Sequence, residues 1–210
     1  MEVALREVID ALVELFEVDG AGLMLLDAED ALRYVVATDE RTRVLESAQE
    51  ELGYGPCVDS LVTGRAFETS DIAVDDRWPG VSELVAAVDV HAVLGVPVML
   101  GGAPVGSLNV LRVTPYDWDD SDRRAILAFC RTIEVLIAQA VLAHRRGKIV
   151  DQLEYALEHR VMIERAIGVV MGRNDLDPVQ AFNRVRRTAR SGRRRVADVA
   201  DDIVSGRLAV

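Results

Sequence analysis

Seven arginines fall within twelve residues, RVRRTARSGRRR, from Arg184 to Arg195, and no acid interrupts them. A guanidinium carries a fixed charge and a planar fork of donors that matches phosphate oxygens. On a helix, Arg186 and Arg190 stand four residues apart and Arg187 and Arg190 three apart, so they share a face. Arg193, Arg194 and Arg195 carry the charge into the next turn. Like charges this close repel, and a polyphosphate backbone offsets them while releasing its counterions. The plainer alternative is a solvated face neutralised by nearby acids. Tyr155 and Phe182 are the only aromatics beyond His144. Phe182 reads as buried, which leaves little for base stacking, so phosphate contacts would dominate.

The stretch GYGPCVDSLVTGRAFETSDIAVDDRWPG, residues 53–80, holds a second set of reactive side chains. Cys57 near Asp59 has the type of a redox thiol, but no His or Lys nearby in sequence lowers its pKa. A small buried residue at a helix start is the better reading. Asp59, Asp71, Asp75 and Asp76 fit no calcium-loop spacing, and turn and cap duty suits them better. No metal site is expected. The histidines His91, His144 and His159 are scattered, and the chain has no phosphate-binding loop, no G-x-S-x-G and no H-E-x-x-H. An enzyme is not expected.

The elements that must position these residues follow from composition and period. Half of the 210 residues are hydrophobic, ample for a core, and the net charge is −11. Residues 144–210 carry 14 Lys and Arg against 9 Asp and Glu, a net of +5, while residues 1–143 carry −16. Such a sign change marks two modules with different partners. Two cysteines, Cys57 and Cys130, make no framework and suggest a reducing compartment. The opening segment lacks the form of a signal peptide. The purest apolar run, Ala92 to Leu100, is too short to span a bilayer. A cytoplasmic protein without a membrane partner is expected.

Leu5, Val8, Ile9, Leu12, Leu15 and Phe16 follow helical spacing. AGLMLLD and ALRYVVATD read as a hairpin around Asp27 to Asp30. Residues 41–52 and 57–63 read as helices separated by GYGP, RAFETSDI as a strand, and Ser82 to Val88 as a helix capped by Ser82. HAVLGVPVML and APVGSLNVLRV form a hairpin through Gly101-Gly102. The fold class is therefore α+β with an antiparallel sheet flanked by helices. Two seams of coiled-coil period follow: Ile126, Cys130, Ile133, Ile137 and Ala140, then Ile149, Leu153, Ala156, Arg160, Ile163, Ile167 and Val170. Their frames do not join, which predicts a long connecting helix with a discontinuity around Gly147 and a homodimer through the seam. Asp177 caps a helix that starts at Pro178 and ends at Ser191-Gly192, and VADVADDIV makes a last short one. The tail is a three-helix bundle, giving domains 1–145 and 146–210.

The tail resembles an ANTAR domain, an RNA-binding module of bacterial transcription antiterminators. RVMIERAIGVVM carries the family pattern with Arg160, Ile163, Glu164, Ala166, Gly168 and Met171. Ala181-Phe182, VRRTAR and VADVADDIV continue it, over about residues 150 to 205. Two positions depart: Ile167 stands where many members have Lys or Gln, and Arg193 where many have Asn. The first part is similar to a GAF domain on GYGPCVDSLVTG, DIAVDDRWP and GVPVMLGGAPVGSLNVLR, over about residues 5 to 145. That resemblance implies a sensory α+β module that folds around a small-molecule ligand or acts as a dimer scaffold. Cys57, Asp71 and Trp78 are the candidate pocket residues.

The resemblance implies a signal-responsive regulator that holds paired stem-loops in a leader transcript and so prevents a terminator hairpin. The candidate RNA contacts are Arg186, Arg187, Arg190, Arg193, Arg194 and Arg160. Ala166, Gly168 and Met171 are assigned to helix packing. The alternative is a protein-interaction or autoinhibited scaffold whose basic tail pairs with an acidic protein surface.

Overall fold

The computed structural model describes residues 2–27, 32–142 and 148–210, with backbone alone at 148–150, 152, 153 and 156. The chain divides into two compact units with their main boundary between 145 and 146.

In the first unit, helix α1 (Glu2–Phe16) buries Leu5, Ile9 and Leu12 along one stripe. Leu15 is 67% exposed, because the stripe continues instead through the half-buried Phe16, whose ring meets Phe129 edge-on. Strands β1 (Gly20–Leu26) and β2 (Leu32–Ala37) are sheet neighbours. The turn expected between them lies mostly outside the described residues. Asp39 caps α2 (Glu40–Leu52) by accepting from Thr42 N, and Gly53 ends it in the left-handed conformation. Helix α3 (Pro56–Thr63) starts on a proline, which suits a first-turn position whose N–H has no helical partner.

Strand β3 shrinks to Phe67–Thr69. The expected polar loop holds a 3-10 turn at Ile72–Val74 and the start of α4 (Pro79–Val85). That helix begins at Pro79, three residues before the expected Ser82 cap, because proline's fixed φ is already helical. Strands β4 (Ala92–Leu100) and β5 (Ala103–Arg112) pair antiparallel across Gly101 and Gly102, both at positive φ, with a bulge at Val98/Met99. The sheet order is β2-β1-β5-β4-β3. Helices α2, α3 and α4 build one packed layer with it, joining Leu45, Ile72, Trp78, Val81 and Val93 in a buried cluster.

Asp119 caps α5 (Asp120–Leu142) by accepting from the N–H groups of Ser121 and Asp122. Ile126, Cys130, Ile133, Ile137 and Ala140 are all buried, and α5 packs on β4. This seam is therefore filled by the unit's own sheet rather than left for a coiled-coil partner, since one apolar stripe serves either surface. By length and composition α5 could also cross a membrane, which the Ala92–Leu100 run did not foretell. The expected break around Gly147 lies outside the described residues.

The second unit is a three-helix bundle of α6 (Lys148–Asn174), α7 (Pro178–Gly192) and α8 (Val196–Val204), each packed on the other two. Asp177 and Gln180 form a reciprocal capping box at the start of α7. Ile163, Ala166, Ile167 and Val170 of α6 meet Ala181, Phe182, Val185 and Ala189 of α7 and the Val196–Ile203 face of α8 in one buried core. The side chains of Ile149, Leu153 and Ala156 lie outside the described residues.

Candidate nucleic-acid interface

Helix α7 sorts its residues by face. Ala181, Phe182, Val185 and Ala189 point inward, and Arg187 and Arg190 stand exposed on the opposite side. The helix contains no acid at all. Among the described residues neither Arg187 nor Arg190 has an ion-pair partner. Arg186 is half-buried, with its guanidinium 5.5 Å from the centroid of the Phe182 ring. That contact steadies the side chain at the edge of the exposed face.

The turn after α7 adds to this surface. Arg193 holds the left-handed conformation, φ 50°, and its N–H closes onto the carbonyls of Ala189 and Arg190. A Cβ there crowds the backbone, a cost that Gly escapes and that Asn offsets in part through the hydrogen bonding of its short side chain. The position where many ANTAR members have Asn is thus the helix-ending residue. Arg194 is placed differently. Its Nη2 reaches Asp202 Oδ2 at 2.5 Å and also donates to the Asp198 carbonyl. Arg207 adds a 2.6 Å contact to Asp202 and a second pair with Asp201. The Arg194 and Arg207 guanidiniums hold the Asp202 carboxyl below its ordinary range. The acids of α8 thus neutralise one end of the arginine run, a pairing that the acid-free stretch 184–195 conceals. Arg195 lies over the Tyr155 ring at 5.1 Å.

Arg160 departs from the expected phosphate contact. It is only 6% exposed, and its Nε donates to Glu164 Oε1 at 2.8 Å. Its guanidinium is buried and engaged one turn along its own helix, so it offers little surface to a phosphate. Gly168 also departs from its packing role: it is exposed, and a Cβ added there would meet nothing within 4 Å. Residues 163, 166, 167 and 170 take the packing face of α6, which leaves residue 168 on the other side. Ala166 is fully buried and Met171 half-buried. Ile167 is 7% exposed, so this departure from the family pattern lies in the core.

In the first unit, the three candidate pocket residues serve separate contacts. Trp78 is buried, and its Nε1 donates to Asp59 Oδ2 at 3.0 Å. Asp71 caps the 3-10 turn through Ala73 N and lies 3.0 Å from His91 Nδ1. Cys57 is fully buried. Its N–H donates to Gln49 Oε1 at 2.8 Å, and its Sγ lies 3.7 Å from Glu46 Oε2. Burial pushes this thiol well above its ordinary pKa, with the nearby Glu46 adding to the effect, so it is a poor nucleophile. Among the described residues no group of three His, Cys, Asp or Glu side chains could hold a metal.

Glu46 itself went unread in the sequence. A signal was present: it sits beside Leu45 on the inward face of α2, and Ser107 and Asn109 interrupt an otherwise apolar buried strand.

Comparison with known proteins agrees with both units. Residues 1–137 match the GAF domain family and residues 151–204 the ANTAR domain family. No curated protein matches significantly. Among solved structures, a domain of a two-component sensor histidine kinase protein from Sinorhizobium meliloti 1021 is 18% identical with a TM-score of 0.56. The match covers 70% of this chain and 98% of that one. The photoproduct state of a GAF3 domain from Synechocystis sp. PCC6803 is 15% identical at TM-score 0.57, covering 69% and 97%. A type II free methionine-R-sulfoxide reductase from Thermoplasma acidophilum is 19% identical at TM-score 0.52, covering 66% and 89%. At these identities the likeness is one of fold, carried by the helices and five-stranded antiparallel sheet of the first unit. The chain belongs to the GAF family and carries a C-terminal ANTAR domain.

Proposed function

We propose that this chain is a signal-responsive antitermination regulator that grips paired stem-loops of a leader transcript through its ANTAR domain. A GAF sensor joined to an ANTAR domain fits a regulatory, RNA-binding antitermination protein in general. The observation that carries the finer reading is the acid-free outer face of α7, with Arg187 and Arg190 exposed and without ion-pair partners among the described residues. Arg186 flanks them and Arg193 extends them past the helix end. Duplex RNA is read by backbone and shape, so a rigid helix presenting arginines suits it. Arg194 contributes less, because binding RNA would break its pair with Asp202. Arg160 is left out of the contact set.

The GAF unit serves in this reading as the sensor of a small molecule, and the protein works in the cytoplasm without catalysing a reaction. Dimerisation is supported by the apolar residues exposed on α1 and α5, which pack on each other: Val3, Leu15 and Val135 are 72%, 67% and 53% exposed. Two ANTAR modules tethered in one dimer would bind two hairpins, the second binding event becoming effectively intramolecular.

The test is the salt dependence of RNA binding. Changing Arg187 and Arg190 together to Ala lowers the slope of log K against log salt by roughly 0.7 to 0.9 for each phosphate that the pair had neutralised. Thermal stability stays close to that of the unaltered chain, since both side chains are exposed. An unchanged slope would remove both residues from the interface.

A further inference from the structure

The layer formed by α2, α3 and β5 buries more polar chemistry than its packing requires. Thr42, Glu46, Gln49, Ser60 and Ser107 are fully buried and Asn109 is 1% exposed. Glu46 lies at the centre. Asn109 Nδ2 donates to both of its oxygens, at 2.8 and 3.0 Å, and the Cys57 thiol lies against Oε2. Three glycines make room: a Cβ on Gly22 would strike Glu46 Oε1, one on Gly55 would strike the Gln49 amide, and one on Gly95 would come 3.0 Å from Asn109 Oδ1.

No cation answers this carboxyl among the described residues. Helix α3 brings Cys57, and its Asp59 is taken up by Trp78. Strand β1 brings Gly22, and β5 brings Asn109, with Ser107 buried on the same face. Beside β2, Arg33 pairs with Glu50 at the exposed edge of α2, and Tyr34 is exposed. A buried carboxylate without a cation pays a large desolvation cost, so the group keeps its proton instead. Burial raises Glu46 to about 8, against which the hydrogen bonds from Asn109 and Cys57 work only in part.

The neighbours suit two protonation states. Among the described residues, the buried Asn109 Oδ1 and Gln49 Nε2 have no hydrogen-bond partner. With its amide turned by half a rotation, Asn109 offers Oδ1 to the O–H of a neutral acid. In the orientation seen, it donates Nδ2 to a carboxylate. Ionisation also calls for more donors, and the orphaned Gln49 Nε2 lies one turn along α2 from Glu46. We propose that Glu46, with Asn109, Gln49 and Cys57, is a proton-operated switch of the GAF unit: neutral, it closes the α2–α3–β5 layer, and ionised, it forces the layer to rearrange. The proton passes to solvent, and no other bond is broken. The switch goes beyond the RNA reading and stands on the first unit alone.

The test uses the full-length chain. Infrared spectra with isotope-labelled glutamate follow the protonated carboxyl band from about pH 6 to about pH 10, across the range where ordinary carboxyls are already ionised. Tryptophan fluorescence follows the layer, because Trp78 packs beside Leu45 and Ala48 of α2 and bonds to α3. The expected result is a protonated band at pH 7 that vanishes with a midpoint near 8, with a fluorescence change of the same midpoint. In Glu46→Gln both transitions disappear. Absence of the band at pH 7 in the unaltered chain would overturn the proposal, as would a band that titrates with no fluorescence change. Both outcomes are read without the variant, so they decide the matter even if Glu46→Gln fails to fold.

Discussion

At the scale of single residues, side chains of one type divide by environment. Arg187 and Arg190 project from a helix without acids, Arg194 is tied to Asp202, and Arg160 is buried against Glu164. Arg193 shows how one residue carries two opposed demands. Its left-handed backbone favours glycine, so Arg193→Gly should stabilise the bundle by about 1 kcal/mol. The same change removes a cation from the proposed RNA surface. Thermal unfolding and an RNA titration on one variant should therefore move in opposite directions. Glu46 sets a comparable opposition in the first unit. Its folded value lies above the ordinary 4.5, so the folded state holds a proton that the unfolded chain releases. The contribution of Glu46 to stability is then fullest below about 4.5 and is lost as pH rises toward about 8. The unfolding free energy of Glu46→Gln should match that of the unaltered chain in acid and exceed it at pH 7 by about 3 kcal/mol.

At the scale of elements, caps and turns were more legible than lengths. Asp177 with Pro178 announced the start of α7, and Gly101-Gly102 announced the β4–β5 hairpin, because these residue types act through their own backbone geometry. Replacing Asp177 by Ala removes the reciprocal cap with Gln180 and should cost about 1 kcal/mol of bundle stability, read as a lower melting temperature. What the sequence concealed depends on partners distant in the chain. The heptad-like spacing of Ile126 to Ala140 looks the same whether a second helix or β4 covers it. Gly168 fits a packing glycine until its neighbours are known to be absent. The pairing of Arg194 with Asp202 spans the turn between α7 and α8, and the Glu46–Asn109 contact spans 63 residues. No local pattern records such contacts.

At the scale of the whole molecule, opposite charge balances fall on two units with separate cores, −16 over residues 1–143 and +5 over residues 144–210. The acidic unit has the fold of a sensory module, and the basic one gathers seven of its fourteen Lys and Arg on a single helix and the turn that follows. The central claim is that this arrangement selects paired hairpins rather than any polyanion. The measurement that tests it most directly is a titration of the full-length chain at two salt concentrations. Four probes are needed: a double stem-loop RNA, one of its stem-loops alone, a scrambled RNA of equal length, and duplex DNA. The account predicts tightest binding to the double stem-loop, weaker binding to the single one, and weaker still to scrambled RNA and DNA. Equal, salt-sensitive binding to all four would reduce the arginine face to a general polyanion patch and contradict it.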